Sequence, residues 1–220
     1  ICACLVGSEM CIRDRSIYTN ALEIGEKNKL YNLVGYTYSY MGDLYTEKAM
    51  RTEAIAKYEM AADYFKEGNN TDSYVCALRD MGREYACIDS ISRALGILIM
   101  ADSIAEASED KDVKASIENT LGNIYVMQNK YDKAKKFFYK ALEGRNKMPN
   151  YIALIGLYIA SDSLKQAKEL LLRIPQDDFD YTYSIKNLYY QIYKSEGNYK
   201  EALTNLEEYT EIVDLSLIHI

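Results

Sequence analysis

A pattern of small and apolar residues that returns every forty positions is the feature that most constrains the fold of this chain. Its clearest copy consists of Leu121, Gly122, Tyr125, Ala134, Phe138 and Ala141. Copies forty and eighty residues earlier carry Gly82, Tyr85, Ala94 and Ala101, and then Gly42, Tyr45, Ala54 and Ala61. A constant period of this length is typical of stacked supersecondary units, each of which buries its apolar face against its neighbours.

The spacing within one copy predicts two helices that face each other. Leu121, Gly122 and Tyr125 share one face of a first helix, and the later residues of the copy recur at i, i+4 and i+7 along a second helix. Helices that cross at about 8 to 10 Å need small side chains at the crossing and large ones beside it. We therefore expect glycine and alanine at the crossings and the aromatic rings in the space beside them.

The pattern of Leu-Gly-x-x-Tyr, then Ala, then Phe or Tyr, then Ala resembles the tetratricopeptide repeat (TPR). This resemblance implies an all-α fold, a right-handed α-solenoid of antiparallel helix pairs (the TPR superhelix). The period near forty is similar to that of bacterial TPR proteins of the sensor or regulator kind, which have longer helices.

The two ends of the chain resemble translated adapter DNA rather than parts of a fold. The codons ATG TGT ATA AGA GAC encode Met10 to Asp14, and the reverse complement of this string, extended by AG, translates as Leu-Ser-Leu-Ile-His-Ile, the sequence of residues 215–220. The DNA resembles the transposase end that is used to prepare sequencing libraries. We therefore interpret residues 1–15 and 215–220 as adapter-derived and leave them out of the fold.

The remaining residues, 16–214, are predicted to form one repeat array. A partial unit is expected at 16–27, followed by units of about 28–68, 69–108, 109–147, 148–175 and 179–214. The fourth full unit keeps Tyr158 and Ala167 but has Ile155 and Ile174 in place of a glycine and an alanine, and the last unit carries Tyr193 and Ala202. Because the array begins and ends inside a unit, we expect the natural protein to continue on both sides.

Several residues are typical of helix ends. Gly68 is expected to cap the C-terminus of one helix, and Thr71 or Asp72 the N-terminus of the next. Ser163 and Gln166 have the spacing of a capping box. Further signals are an N-cap at Asp110 or Asp112, a first-turn proline at Pro149 and a turn at Gly197-Asn198-Tyr199.

Charge and hydropathy exclude several functions for this segment. The net charge is −7 and the pI is near 4.9, which disfavours a nucleic-acid surface or an anionic membrane face. No apolar run approaches the roughly 20 residues that span a bilayer. Outside the adapter-like ends, Cys76 and Cys87 are eleven residues apart along one predicted helix, too far for a disulfide, and we interpret both as small apolar fillers.

Signals of catalysis or metal binding are weak. The single histidine, His219, lies in the adapter-like end, and the glycines form no phosphate-binding run. Asp177, Asp178 and Asp180 form a short acidic loop without the glycine and distal glutamate of a calcium loop, so a solvated loop is favoured over a cation site. The sequence therefore predicts no enzyme, no cofactor and no metal.

Two functions remain open. The first is a protein–protein interaction scaffold that binds a peptide or protein segment in the concave groove that the family builds from its first helices. The second is the sensory or oligomerisation region of a larger bacterial regulator, with or without a membrane anchor, that is truncated in this sequence.

Two polar rows mark the candidate groove. One row contains Ser39, Arg79 and Asn119, and the other, one helical turn later, contains Asp43, Arg83 and Asn123. The resemblance places this face on the concave surface, where two arginines would offer forked donors to a carboxylate. Binding of chaperone tails is disfavoured, because Pro149 and Ala153 stand where the family's carboxylate clamp needs polar groups. The alternative is a solvated face on which Asp43 neutralises Arg83.

Overall fold

The structure, a computed structural model, describes residues 17–106, 108, 110–175 and 181–218, with side chains as far as Val213. Every regular element in these ranges is helical. The helices are α1 (17–27), α2 (Tyr31–Glu47), α3 (Arg51–Glu67), α4 (Thr71–Cys87), α5 (Ile91–Ala105), α6 (Lys111–Met127), α7 (Tyr131–Ala141), α8 (Met148–Ala160), α9 (Leu164–Leu171), α10 (Thr182–Ser195) and α11 (Tyr199–Ile218).

The described residues divide into two compact parts, one that ends at Thr120 and one that begins at Leu121, and α6 runs through the boundary. In the first part α3 packs against both α2 and α4, and α4 packs against α5. In the second part α8 packs against α7 and α9, and α10 packs against α8, α9 and α11. The pairs α2–α3, α4–α5, α6–α7 and α8–α9 lie within the ranges predicted for the first four full units, α1 lies alone in the partial unit, and α11 runs past the predicted end at Asp214.

The crossing points have the small residues that the repeat predicted. A Cβ atom added to Gly42 would lie 2.6 Å from the ring of Tyr58, and one added to Gly122 would lie 2.6 Å from Cδ1 of Phe138. A Cβ on Gly82 would lie 2.8 Å from Leu98. The alanines of the repeat pattern in the second helices of the first three full units are fully buried, namely Ala54, Ala61, Ala94, Ala101, Ala134 and Ala141. Glycine is therefore required where a large residue of the second helix presses on the first.

The fourth unit packs around an isoleucine instead. Ile155 is fully buried and belongs to a core cluster with Leu154, Ala167 and Leu171. The second helix of this unit, α9, has eight residues, whereas α3 has 17. Ile174 lies beyond the end of α9 and is still buried, so the last apolar position of this unit is supplied by the loop.

Most turns between helices contain one residue with a left-handed backbone. These residues are Lys29, Ala49, Asn69, Asp89, Asn129, Asp162 and Gly197. The next amide in each turn donates to the carbonyl five residues earlier, as in Met50 N to Tyr45 O at 2.9 Å and Lys130 N to Tyr125 O at 2.9 Å. These are Schellman bonds, which satisfy the last carbonyls of a helix. The tyrosine of the repeat pattern is the acceptor in five turns, at Tyr45, Tyr85, Tyr125, Tyr158 and Tyr193.

Gly68 is the C-cap residue of α3 as predicted, but other parts of the cap predictions are wrong. The left-handed residue after α3 is Asn69, with φ of 53°, whereas Gly68 has φ of −78°. The N-cap of α4 is Asn70, whose side chain accepts from the amide of Ser73 at 3.1 Å, so neither Thr71 nor Asp72 has this role. Asparagine is suited both to the turn after α3 and to the N-cap of α4, because it tolerates the left-handed region and its side chain accepts amide hydrogen bonds.

At the start of α9 the N-cap position is Ser163 as predicted, but its side chain makes no cap hydrogen bond. Its hydroxyl instead donates to the carbonyl of Ser161 at 3.4 Å, so no capping box forms with Gln166. The prediction for Asp110 is confirmed, since its Oδ1 accepts from the amide of Asp112 at 2.9 Å. Pro149 lies in the first turn of α8, also as predicted.

Three sequence interpretations concern residues outside the described ranges: the adapter-like segment 1–15, the acidic loop 176–180 and the last two residues, 219–220. The backbone of residues 215–218 continues α11. Among the described residues, none of the helices is long and apolar enough to cross a membrane. Cys76 is half-buried as a filler should be, but Cys87 is exposed, so that interpretation is wrong for Cys87.

Candidate functional site

The first helices of successive pairs adjoin through the face that carries the predicted polar rows. The hydroxyl of Tyr36 on α2 lies 2.9 Å from Oγ of Ser73 on α4. Arg79 on α4 donates from Nη1 to Oγ of Ser116 on α6 at 3.1 Å. The structure thus brings α2, α4 and the first half of α6 side by side within residues 17–120.

The predicted groove residues of the first part lie on these adjoining helices. Ser39 and Asp43 are on α2, Arg79 and Arg83 are on α4, and Asn119 is on α6. The sixth, Asn123, follows one turn later on α6 and belongs to the second compact part.

Arg79 is bound to the chain's own carboxylate. Its guanidinium donates from Nε and Nη2 to Asp80 over distances of 2.9 to 3.0 Å, in addition to its bond to Ser116. Burial raises the pKa of Asp80, although the two neighbouring arginines, Arg79 and Arg83, act in the opposite direction. Arg79 therefore holds a poorly solvated carboxylate in place, and few of its donors remain for a ligand.

Arg83 is more loosely held and more exposed. Its Nη1 lies 3.3 Å from Asp80 and its Nε 3.5 Å from Glu84, and 46% of its side chain is exposed. Both contacts are longer than the roughly 2.7 to 2.9 Å of strong charge-assisted hydrogen bonds. Of the two predicted arginines, Arg83 is the one whose donors are suited to an incoming anion.

Asp43 has a different partner from the one that the sequence suggested. Its Oδ1 accepts a hydrogen bond of 2.7 Å from the hydroxyl of Tyr58, a fully buried residue of α3. Burial raises the pKa of Tyr58, and the bond to Asp43 acts in the same direction. The expected pairing of Asp43 with Arg83 is wrong, because the carboxylate turns toward the tyrosine inside its own helix pair.

A buried ion pair beside this face was missed by the sequence analysis. Glu84 is fully buried, and its Oε2 lies 2.8 Å from Nη1 of Arg51 at the start of α3. The equivalent positions in the neighbouring copies are Leu44 and Ile124. A carboxylate at an apolar position of a repeat was the available signal, since a buried charge needs a partner.

Two tyrosines on α2 were also missed. Tyr36 and Tyr40 lie one turn apart on the same face as Ser39, and they are 44% and 59% exposed. Large exposed aromatic rings are common at sites of partner binding. The signal in the sequence was the i, i+4 spacing of two tyrosines away from the glycine stripe of the crossing.

The described residues contain no group of three or more histidine, cysteine, aspartate or glutamate side chains arranged to hold a metal ion. Burial raises the pKa of the Cys76 thiol, which disfavours the reactive thiolate. The chemistry of the face is therefore that of hydrogen bonding, ion pairing and aromatic contact.

Comparisons with known proteins agree with this architecture. A family model described as tetratricopeptide repeat matches residues 125–192. No curated protein matches the chain. Among solved structures, BtubC (BKLC) from P. vanneervenii is similar with a TM-score of 0.70 and 17% identity, over 93% of this chain and 91% of that one. The TPR-like repeats of a putative kinesin light chain from Podosopora anserina have a TM-score of 0.58 and 14% identity, over 82% of this chain and 95% of that one.

At these identities the similar structures report on the fold. The family model adds the repeat signature in the part of the chain that includes Tyr125, Ala134, Tyr158 and Ala167. The chain is thus all-α over the residues that the structure describes, it has the fold of solved tetratricopeptide-like structures, and residues 125–192 carry the tetratricopeptide-repeat signature.

Proposed function

We propose that the face formed by α2, α4 and the first half of α6 binds an extended segment of a protein partner and that Arg83 holds a carboxylate of that segment. The observation that carries this proposal is the state of Arg83, which is 46% exposed and has only long contacts at 3.3 and 3.5 Å. A guanidinium offers five N–H donors in a planar fork that matches a carboxylate.

The neighbouring side chains suit the rest of such a segment. Tyr36 and Tyr40 offer exposed rings for apolar side chains, and Ser39 and Asn119 add polar groups of the kind that pair with a peptide main chain. Asp80 sets the position of Arg83 and is itself fixed by Arg79. This proposal assigns Arg79 a structural role and Arg83 the contact with the partner.

The test uses peptides selected by display against the immobilised chain. Those that bind are measured in solution with the unchanged chain, with Arg83→Glu and with Lys66→Glu, an equal charge reversal at an exposed position of α3. We expect Arg83→Glu to weaken binding of acidic peptides by about tenfold or more, because an attraction becomes a repulsion. Lys66→Glu should bind as the unchanged chain does.

Helicity is recorded for both variants and should remain that of the unchanged chain, whereas the Tm of Arg83→Glu is expected to be lower than that of Lys66→Glu because the new carboxylate lies beside Asp80 and Glu84. The proposal fails if folded Arg83→Glu retains full affinity for the selected peptides. It also fails if the selection yields no acidic peptides that bind saturably.

A further inference from the structure

The segment from residue 128 to residue 147 is basic in an otherwise acidic chain. It contains seven basic side chains and two acidic ones, whereas the whole chain has a net charge of −7. Most of the segment is α7, a helix of eleven residues in the second compact part. An even distribution of the charged residues over the surface would not give a cluster of positive charge on a negatively charged chain.

The lysines of this segment have no carboxylate partner among the residues that the structure describes. The six lysines are Lys130, Lys133, Lys135, Lys136, Lys140 and Lys147, and none of them forms an ion pair with a described residue. By contrast, Lys114 pairs with Glu106, Lys168 with Glu196 and Lys186 with Glu208. The positive charge of the segment is therefore available to a molecule from outside.

Three of the lysines line a cleft between the α6–α7 turn and the α8–α9 turn. Lys130, Lys133 and Lys135 lie on one side, and the end of α8 with the start of α9 forms the other. Lys135 is held over two rings, with Nζ 5.2 Å from the centre of Tyr158 and 5.9 Å from that of Tyr139. The two tyrosine hydroxyls are 3.0 Å apart, so the lysine rests on a fixed aromatic platform.

The opposite wall of the cleft offers hydrogen-bonding groups. Ser161, Ser163 and Gln166 line it, and among the described residues the hydroxyls of the two serines make contacts of 3.3 to 3.4 Å only. Asn129 adds an amide beside the lysines. Among the lining residues, Asp132 is the one carboxylate, and it is exposed. The lysines on one wall can pair with the carboxylates of an acidic peptide, and the amide and hydroxyl groups on the other wall can hydrogen-bond its main chain.

We infer that this cleft binds an acidic segment of a protein partner, as a site separate from the face that contains Arg83. Charge complementarity selects an acidic occupant, and the negative charge of the rest of the chain repels a long polyanion such as a nucleic acid. Glutamate or aspartate side chains would lie near Lys130, Lys133 and Lys135, with the peptide main chain toward Ser161, Ser163 and Gln166.

The experiment measures fluorescence anisotropy of a labelled peptide of alternating glutamate and serine with the whole chain, at low and at high salt. The same peptide with glutamine for glutamate and a labelled oligothymidylate of equal length serve as comparison probes. We expect saturable binding of the glutamate peptide that weakens with salt, no binding of the glutamine peptide and weaker binding of the oligothymidylate.

The double variant Lys130→Glu, Lys133→Glu is expected to weaken binding of the glutamate peptide by about tenfold or more. Its matched control is Lys136→Glu, Lys140→Glu, which makes the same charge change in the same basic segment but outside the cleft, and its loss of affinity should be several-fold smaller. Lys130→Gln, Lys133→Gln serves as the milder variant if the charge reversal lowers Tm. Arg83→Glu should bind this probe as the unchanged chain does, which separates the two sites.

The inference is overturned if Lys130→Glu, Lys133→Glu and Lys136→Glu, Lys140→Glu lose the same affinity for the glutamate peptide, because binding would then depend on net charge alone. Absence of saturable binding of the glutamate peptide overturns it too. Tighter binding of the oligothymidylate than of the glutamate peptide would assign the cleft to nucleic acid instead.

Discussion

At the scale of single residues, the close approach of a ring to a backbone decides where glycine is required. Gly122 faces the fully buried ring of Phe138, and no side chain fits between the two. Gly156 on α8 is also in a helix, but a Cβ atom added there would have nothing within 4 Å. The two glycines therefore differ in what a methyl group would meet, although both are helical.

We predict that Gly122→Ala lowers the free energy of unfolding by about 1 to 3 kcal/mol, because the new methyl group overpacks against Phe138. Gly156→Ala should leave it unchanged or raise it by up to about 1 kcal/mol, since alanine is the better helix former. Urea unfolding followed by circular dichroism measures both. Equal effects of the two substitutions on the free energy of unfolding would mean that overpacking against Phe138 does not determine the effect of Gly122→Ala.

At the scale of helices and their turns, the chain ends its helices with left-handed residues that are mostly not glycine. Ala49 has φ of 56°, and its amide donates to Thr46 while that of Met50 donates to Tyr45, both at 2.9 Å. A residue with a Cβ in this region costs about 1 to 2 kcal/mol relative to the right-handed region. The Schellman bonds and the packing of the next helix hold the turn against that cost.

Replacement of Ala49 by glycine is expected to raise the free energy of unfolding by about 0.5 to 1 kcal/mol, because the steric cost of the left-handed backbone disappears. The matched control is Ala56→Gly, at an exposed position inside α3, which should lower it by about 1 kcal/mol. Thermal unfolding of the two variants distinguishes them by sign. Destabilisation by Ala49→Gly would contradict the prediction, because the steric cost of the left-handed backbone would then not be the dominant effect at this turn.

At the scale of the whole molecule, stability at high pH depends on buried tyrosines in the first compact part and on a half-buried tyrosine in the second. The chain has 22 tyrosines. Burial raises the pKa of Tyr38 and Tyr58 in the first part and of Tyr189 in the second, from an ordinary value of 10.0. Because the folded state favours the neutral phenol, this stabilisation is fully present below pH 10.0 and is lost as the pH rises through the raised folded values.

The free energy of unfolding should therefore fall as the pH increases above 10.0, and Tyr58→Phe should make that fall less steep. At neutral pH the same variant should cost about 1 kcal/mol for the lost hydrogen bond to Asp43. Tyr40→Phe, at an exposed position, is the control. Urea midpoints measured across this pH range test the prediction, which fails if Tyr58→Phe and the unchanged chain follow parallel curves.

The sequence by itself determined the fold class and the faces of the helices. The period of forty, the facing stripes and the placement of Gly122 at a helix crossing could be predicted, because side-chain direction along a helix follows from its 3.6-residue period. Small and large residues at fixed spacing then specify which helix faces meet. Such patterns are local in sequence, so a single sequence was enough to read them.

Only the tertiary structure decided which polar groups meet. Arg51 and Glu84 are 33 residues apart, and Tyr58 reaches Asp43 across a helix pair. Arg79 and Arg83 share one face, yet one is bound to Asp80 and the other is half-exposed. These differences depend on rotamers, burial and the distance between packed helices, because a polar side chain pairs with whichever partner the packing brings within about 3 Å.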